Sequence, residues 1–83
     1  MNGYVSKDKL IGALSRGISQ AQTKYRASGM PPEARATIKW IESAIKTLEG
    51  LTTTHFTDYR LAEILKPEGR QKVLDWAIKQ ATR

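Results

Sequence analysis

Apolar residues recur along the chain at steps of three and four, and each run stops close to a glycine or a proline. Ile11, Leu14, Ile18, Ala21 and Tyr25 share one face of a first helix predicted over about residues 6–27, because successive helical residues turn by about 100°. Ser6 suits its N-cap, and Gly29, just before Pro31 and Pro32, suits its C-terminal stop. A second helix over 32–49 opens on Pro32, with Glu33 at the positive end of the helix dipole. It carries Ala34, Ile38, Ile41, Ile45 and Leu48 inward and ends at Gly50, with Leu51 set to fold back on the last turn in a Schellman-type contact.

Thr52, Thr53, Thr54 and His55 read as a polar connector. Thr57 then caps a short third helix, 57–66, in which Phe56 and Leu61 occupy the two positions of a hydrophobic staple. Lys66, which precedes a proline, ends it. The fourth helix, 67–82, is expected to start at Pro67 with Glu68 in its first turn, presenting Val73, Leu74, Ala77, Ile78 and Ala81 inward. Glu68 with Lys72 and Asp75 with Lys79 are i, i+4 pairs, each worth about 0.2–0.5 kcal/mol. Alternation with period two is missing over any useful length. The pattern therefore predicts an all-α fold, one helical domain over residues 1–83 built as a compact bundle of four short helices.

Gly12 and Gly17 weaken the first helix, since a glycine in a helix interior costs about 1 kcal/mol relative to alanine. Ala13, Gly17 and Ala21, spaced by four, offset that by admitting a close neighbour, either within the chain or as the seam of a homodimer.

Composition narrows the chemistry. With no cysteine and one histidine, disulfide frameworks, zinc ribbons, iron–sulfur ligation and thiol catalysis are out, and the expected setting is intracellular and cytoplasmic. No apolar run reaches the roughly 18–20 residues that span a bilayer, and Met1-Asn2-Gly3-Tyr4 begins no hydrophobic signal core. The Ser-rich, basic first thirty residues also have the composition of a mitochondrial presequence, but its removal would leave little chain to fold. His55 has no partners at metal-site or triad spacing. The carboxylates are scattered, most of them three or four residues from a Lys or Arg, and Gly12 to Gly17 lacks both phosphate-loop patterns. No catalytic residue, metal or cofactor is indicated, and the chain is expected not to be an enzyme.

Charge is what remains. The net charge is +6 and the surplus lies at the two ends of the chain, a field suited to nucleic acid or to an acidic protein surface. On the fourth helix Lys72, Trp76, Lys79 and Arg83 form a cationic row with one large aromatic, able to follow a phosphate backbone or to dock a partner with Trp76 as anchor. The plainer account of that row makes Trp76 a rim residue of the core, with lysines laid over it. A second basic stripe, Lys9, Arg16 and Lys24 with Gln20, lies opposite the apolar face of the first helix, as an ordinary solvated face would. Trp40 reads as core or interface edge. Residues 57–83 have the order of a helix-turn-helix, with Arg70, Gln71, Lys72 and Lys79 as candidate contacts on its longer helix, but Glu68 would meet phosphate where that helix must touch it.

The function expected from the sequence is a small basic, non-enzymatic binding protein of regulatory, accessory or inhibitor type. It docks through helix faces on a protein partner with an acidic surface, a component of nucleic-acid machinery being one candidate. The alternative is direct, largely sequence-independent binding of DNA or RNA.

Overall fold

Helices stand where the three-and-four spacing puts them, and one pair of very short strands ties two of them together. The computed structural model of the chain describes residues 4–82. The order is β1 (Tyr4–Ser6), α1 (Lys7–Lys24), α2 (Pro32–Glu49), β2 (His55–Thr57), α3 (Asp58–Leu65) and α4 (Gln71–Ala81). The architecture is the all-α bundle of four helices that the periodicity predicts. α1 is its centre, since α2 and α4 both pack on α1 rather than on each other.

The core is almost purely aliphatic. Leu10 and Leu14 of α1, Leu48 of α2, Leu61 of α3 and Leu74 of α4 are completely buried, and each such side chain contributes about 1.5–3 kcal/mol when taken from water. Among the described residues no polar or charged side chain is buried with them. Trp40 joins α2 to α3: its indole N–H donates to the carbonyl of Leu65 at 3.0 Å, meeting one of the carbonyls that a helix end leaves unpaired.

Strands β1 and β2 pair antiparallel with Val5 opposite Phe56, both buried against the core. Each strand leads into a helix cap. The Ser6 hydroxyl accepts from the Lys9 N–H at 3.4 Å, and that of Thr57 accepts from the Arg60 N–H at 3.1 Å. The ribbon thereby fixes the N-termini of α1 and α3 relative to each other. Lys7 extends the tie: its N–H donates to the Thr54 carbonyl at 2.8 Å and its ammonium to that of Leu51 at 2.6 Å.

Several boundaries depart from the expected ones. α1 stops at Lys24, short of residue 27, and the turn that follows is closed by Gly29, at φ 81°, whose N–H donates to the Tyr25 carbonyl at 3.0 Å. Gly50 is right-handed, at φ −80°, so the helix does not end in the left-handed Schellman geometry; Leu51 instead donates its N–H to the Leu48 carbonyl at 3.1 Å. The largest correction is at α4, which starts at Gln71 and not at Pro67. Gly69 at φ 78° reverses the chain, and the Arg70 N–H donates to the Pro67 carbonyl at 2.8 Å, so residues 67–70 form a turn. Glu68 is therefore outside the helix and makes no pair with Lys72, while Asp75 accepts from Gln71 Nε2 at 2.9 Å in place of pairing with Lys79.

Candidate functional site

The small residues of α1 decide how close its neighbours come. Ala13 is fully buried, and Gly17 lies at the crossing with the other two long helices. A Cβ at Gly17 would stand 3.3 Å from Cζ3 of Trp76 and 3.8 Å from Cδ1 of Ile41. The close approach that Gly17 permits is thus made within the chain, by Ile41 of α2 and Trp76 of α4. Beyond this crossing a cleft of about 430 Å³ opens over the C-terminal half of α1, between the N-terminal halves of α2 and α4.

The cleft exists because three small residues, Gly17, Ala21 and Ala34, meet where larger ones would have closed it. Its apolar sides are Ile38 and Ile41 from α2 and Val73 and Trp76 from α4. At its mouth stand the exposed Gln20, Lys24 and Lys72, with Tyr25 and Thr37 beside them. Lys24 and Lys72 are the charged groups of the lining; among the described residues that form it none is acidic. Neither lysine takes part in an ion pair among the described residues. The Lys24 ammonium sits 5.3 Å from the centre of the Tyr25 ring, a cation–π distance that holds it beside the mouth. At the other end of α2 and α4 from their C-termini, Arg70 reaches Glu33, Nη2 to Oε2 3.7 Å, linking the starts of the two helices that flank the opening.

Comparison with known protein families, curated proteins and solved structures gives no match to this chain.

Of the two basic rows picked out by spacing, the structure brings four residues together. Gln20 and Lys24 from the stripe on α1 converge with Lys72 and Trp76 from the row on α4, all lining one cleft. Lys9, Arg16 and Lys79 are exposed but do not line it, and Arg83 lies outside the described residues. Trp76 is half-buried and partly spans the crossing at Gly17, as a rim residue of the core would. Residues the spacing assigned to the core, Ala34, Ile38 and Tyr25, turn out to be half-buried cleft lining. A signal for this was present: Ala21 and Ala34 are the small members of stripes otherwise built of Ile, Leu and Tyr25. The helix-turn-helix order loses two of its candidate contacts, because Arg70 is turned to Glu33 and Gln71 to Asp75.

Elsewhere the chemistry is sparse. His55 is exposed on β2, with Nδ1 3.0 Å from the Thr54 hydroxyl. Among the described residues there is no cluster of three side chains able to hold a metal ion, and no helix is long and apolar enough to cross a membrane.

Proposed function

We propose that this chain is a non-enzymatic docking protein that binds an acidic surface of a protein partner through the face shared by α1, α2 and α4. The observation that supports this reading is the meeting of Lys24 and Lys72, neither neutralised within the chain, at the mouth of an apolar cleft with no carboxylate in its described lining. An apolar centre with charged groups on its edge is how a protein interface is built: the centre contributes affinity when it is dried, and the edge selects partners of opposite sign. A net charge of +6 strengthens the same preference at long range.

Direct nucleic-acid binding is the alternative, supported by the same net charge and by the row Lys72, Trp76 and Lys79. Two features weigh against it. The indole edge of Trp76 is packed on α1 at Gly17, and apart from Trp76 and Tyr25 the apolar lining of the cleft is aliphatic, with no row of rings on which successive bases could stack. Capture from a nuclease-treated extract of the producing cell, run in parallel with wild type and Lys24→Glu/Lys72→Glu, tests the reading. A protein species retained by wild type and reduced about tenfold or more by the double variant is expected. A partner lost on nuclease treatment, together with binding to a short duplex whose log K falls by about 0.9 per phosphate contact with log salt, would replace the reading with the nucleic-acid alternative.

A further inference from the structure

Resting on that docking reading, we propose that the cleft receives one acidic amphipathic helix of the partner, about two turns of it, with bulky apolar side chains inserted between Ile38 and Trp76 and carboxylates set against Lys24 and Lys72. Four observations lead to this occupant. The cleft follows α1 from Gly17 to Lys24, which at 1.5 Å per residue is about 10 Å, or two helical turns. Apart from Tyr25, at the cap of α1, its walls are helical, and a helix presents no edge of alternating N–H and C=O groups on which an extended strand could pair. Recognition must then run through side chains, as it does when a helix lies in a groove and presents apolar anchors at i, i+3, i+4 and i+7. The cleft is open along its mouth, where Gln20, Lys24 and Lys72 are exposed, whereas a small-molecule site encloses roughly 70–90% of its ligand. Finally, its only charges among the described lining residues are two cations from different helices, Lys24 at the end of α1 and Lys72 at the start of α4. A helix with carboxylates bordering its apolar face complements that pair.

The test uses a synthetic amphipathic helix of about 14 residues, long enough to form in part in water, with a leucine face bordered by glutamates. The controls are its scrambled sequence, decanoate and a short oligothymidylate. Binding is read by Trp76 emission in a Trp40→Phe chain and by calorimetry on the unaltered chain, which keeps the test valid should loss of the Trp40 bond to Leu65 weaken the fold. The leucine–glutamate helix is expected to shift Trp76 emission saturably and to bind at least tenfold more tightly than its scrambled form. Lys24→Glu/Lys72→Glu should weaken it tenfold or more, and Ala21→Phe or Ala34→Leu, each filling the cleft while helical circular dichroism is retained, should abolish it. Equal binding of the scrambled peptide, saturation by decanoate or oligothymidylate alone, undiminished binding by the filled chains, or no peptide binding at millimolar concentration would each overturn the proposal. Should the charge-reversed chain lose its captured partner while Ala21→Phe and Ala34→Leu keep it, docking through the basic face stands and the helix in the cleft falls.

Discussion

Gly17 shows how one missing side chain sets the geometry around it. Trp76 comes so near the backbone of α1 that even a methyl at Gly17 would sit 3.3 Å from the ring, closer than ordinary van der Waals contact. Gly12, five residues earlier on the same helix, has only the far end of the Arg16 side chain near, at 3.8 Å. The two glycines should therefore answer differently to the same change. Gly12→Ala is expected to stabilise the fold by about 0.5–1 kcal/mol, the propensity gain alone, raising Tm by about 4–8 °C per kcal/mol in a domain of this size. At Gly17 the same gain is offset by the displacement of Trp76, so Gly17→Ala should raise Tm clearly less in parallel thermal melts and should shift Trp emission, which Gly12→Ala should not. The spacing of Ala13, Gly17 and Ala21 was legible in the sequence as a site of close approach. Which neighbour approached was not, because an i, i+4 stripe records only that a face is small.

At the scale of elements, the helices were largely legible and the joints between them were not. α2 occupies the residues its apolar steps and Pro32 predict, and α3 begins at the cap that Thr57 supplies. The ribbon of β1 and β2 was invisible because three residues are too few to display a period of two, and its pairing joins segments about fifty residues apart. The start of α4 was misplaced for a related reason. Proline followed by an acidic residue is a sound helix opening, but the left-handed Gly69 makes the same four residues a turn, and nothing local distinguishes the two. Each joint carries an expected cost. Thr57→Ala removes the oxygen that accepts from Arg60 and should destabilise the protein by about 1 kcal/mol in denaturant titration. Gly69→Ala places a Cβ in open space, with nothing within 4 Å, yet forces an L-residue to φ 78°. It should cost about 1–2 kcal/mol from backbone strain alone. Equal stability of Gly69→Ala and wild type would mean that α4 starts at Pro67 after all.

At the scale of the whole molecule, the packing of α2 and α4 on α1 rather than on each other determines where surface is left over. Two basic rows drawn on separate helices meet, at their inner ends, in the lining of one opening, while Lys9, Arg16 and Lys79 stay on outward surface. Both rows were legible from helical spacing; their convergence was not, since it depends on which helix faces lie together across the bundle. Salt should separate the inner residues from the outer ones. If docking buries an apolar centre rimmed by two cations, raising salt from low to physiological levels should weaken binding only about as much as neutralising those two charges does, and Lys9→Glu/Arg16→Glu should change affinity less than Lys24→Glu/Lys72→Glu. The two tryptophans offer the most direct view of the central claim. In ¹H–¹⁵N correlation spectra the indole signal of Trp76, at the cleft, and that of Trp40, bonded to the Leu65 carbonyl, are separate reporters. On titration with the acidic amphipathic helix the account predicts that the Trp76 indole and the backbone amides of residues 17–25, 34–41 and 72–76 move together to saturation, while the Trp40 indole stays in place. Saturating shifts confined to Lys9, Arg16 and Lys79, with Trp76 unmoved, would contradict it.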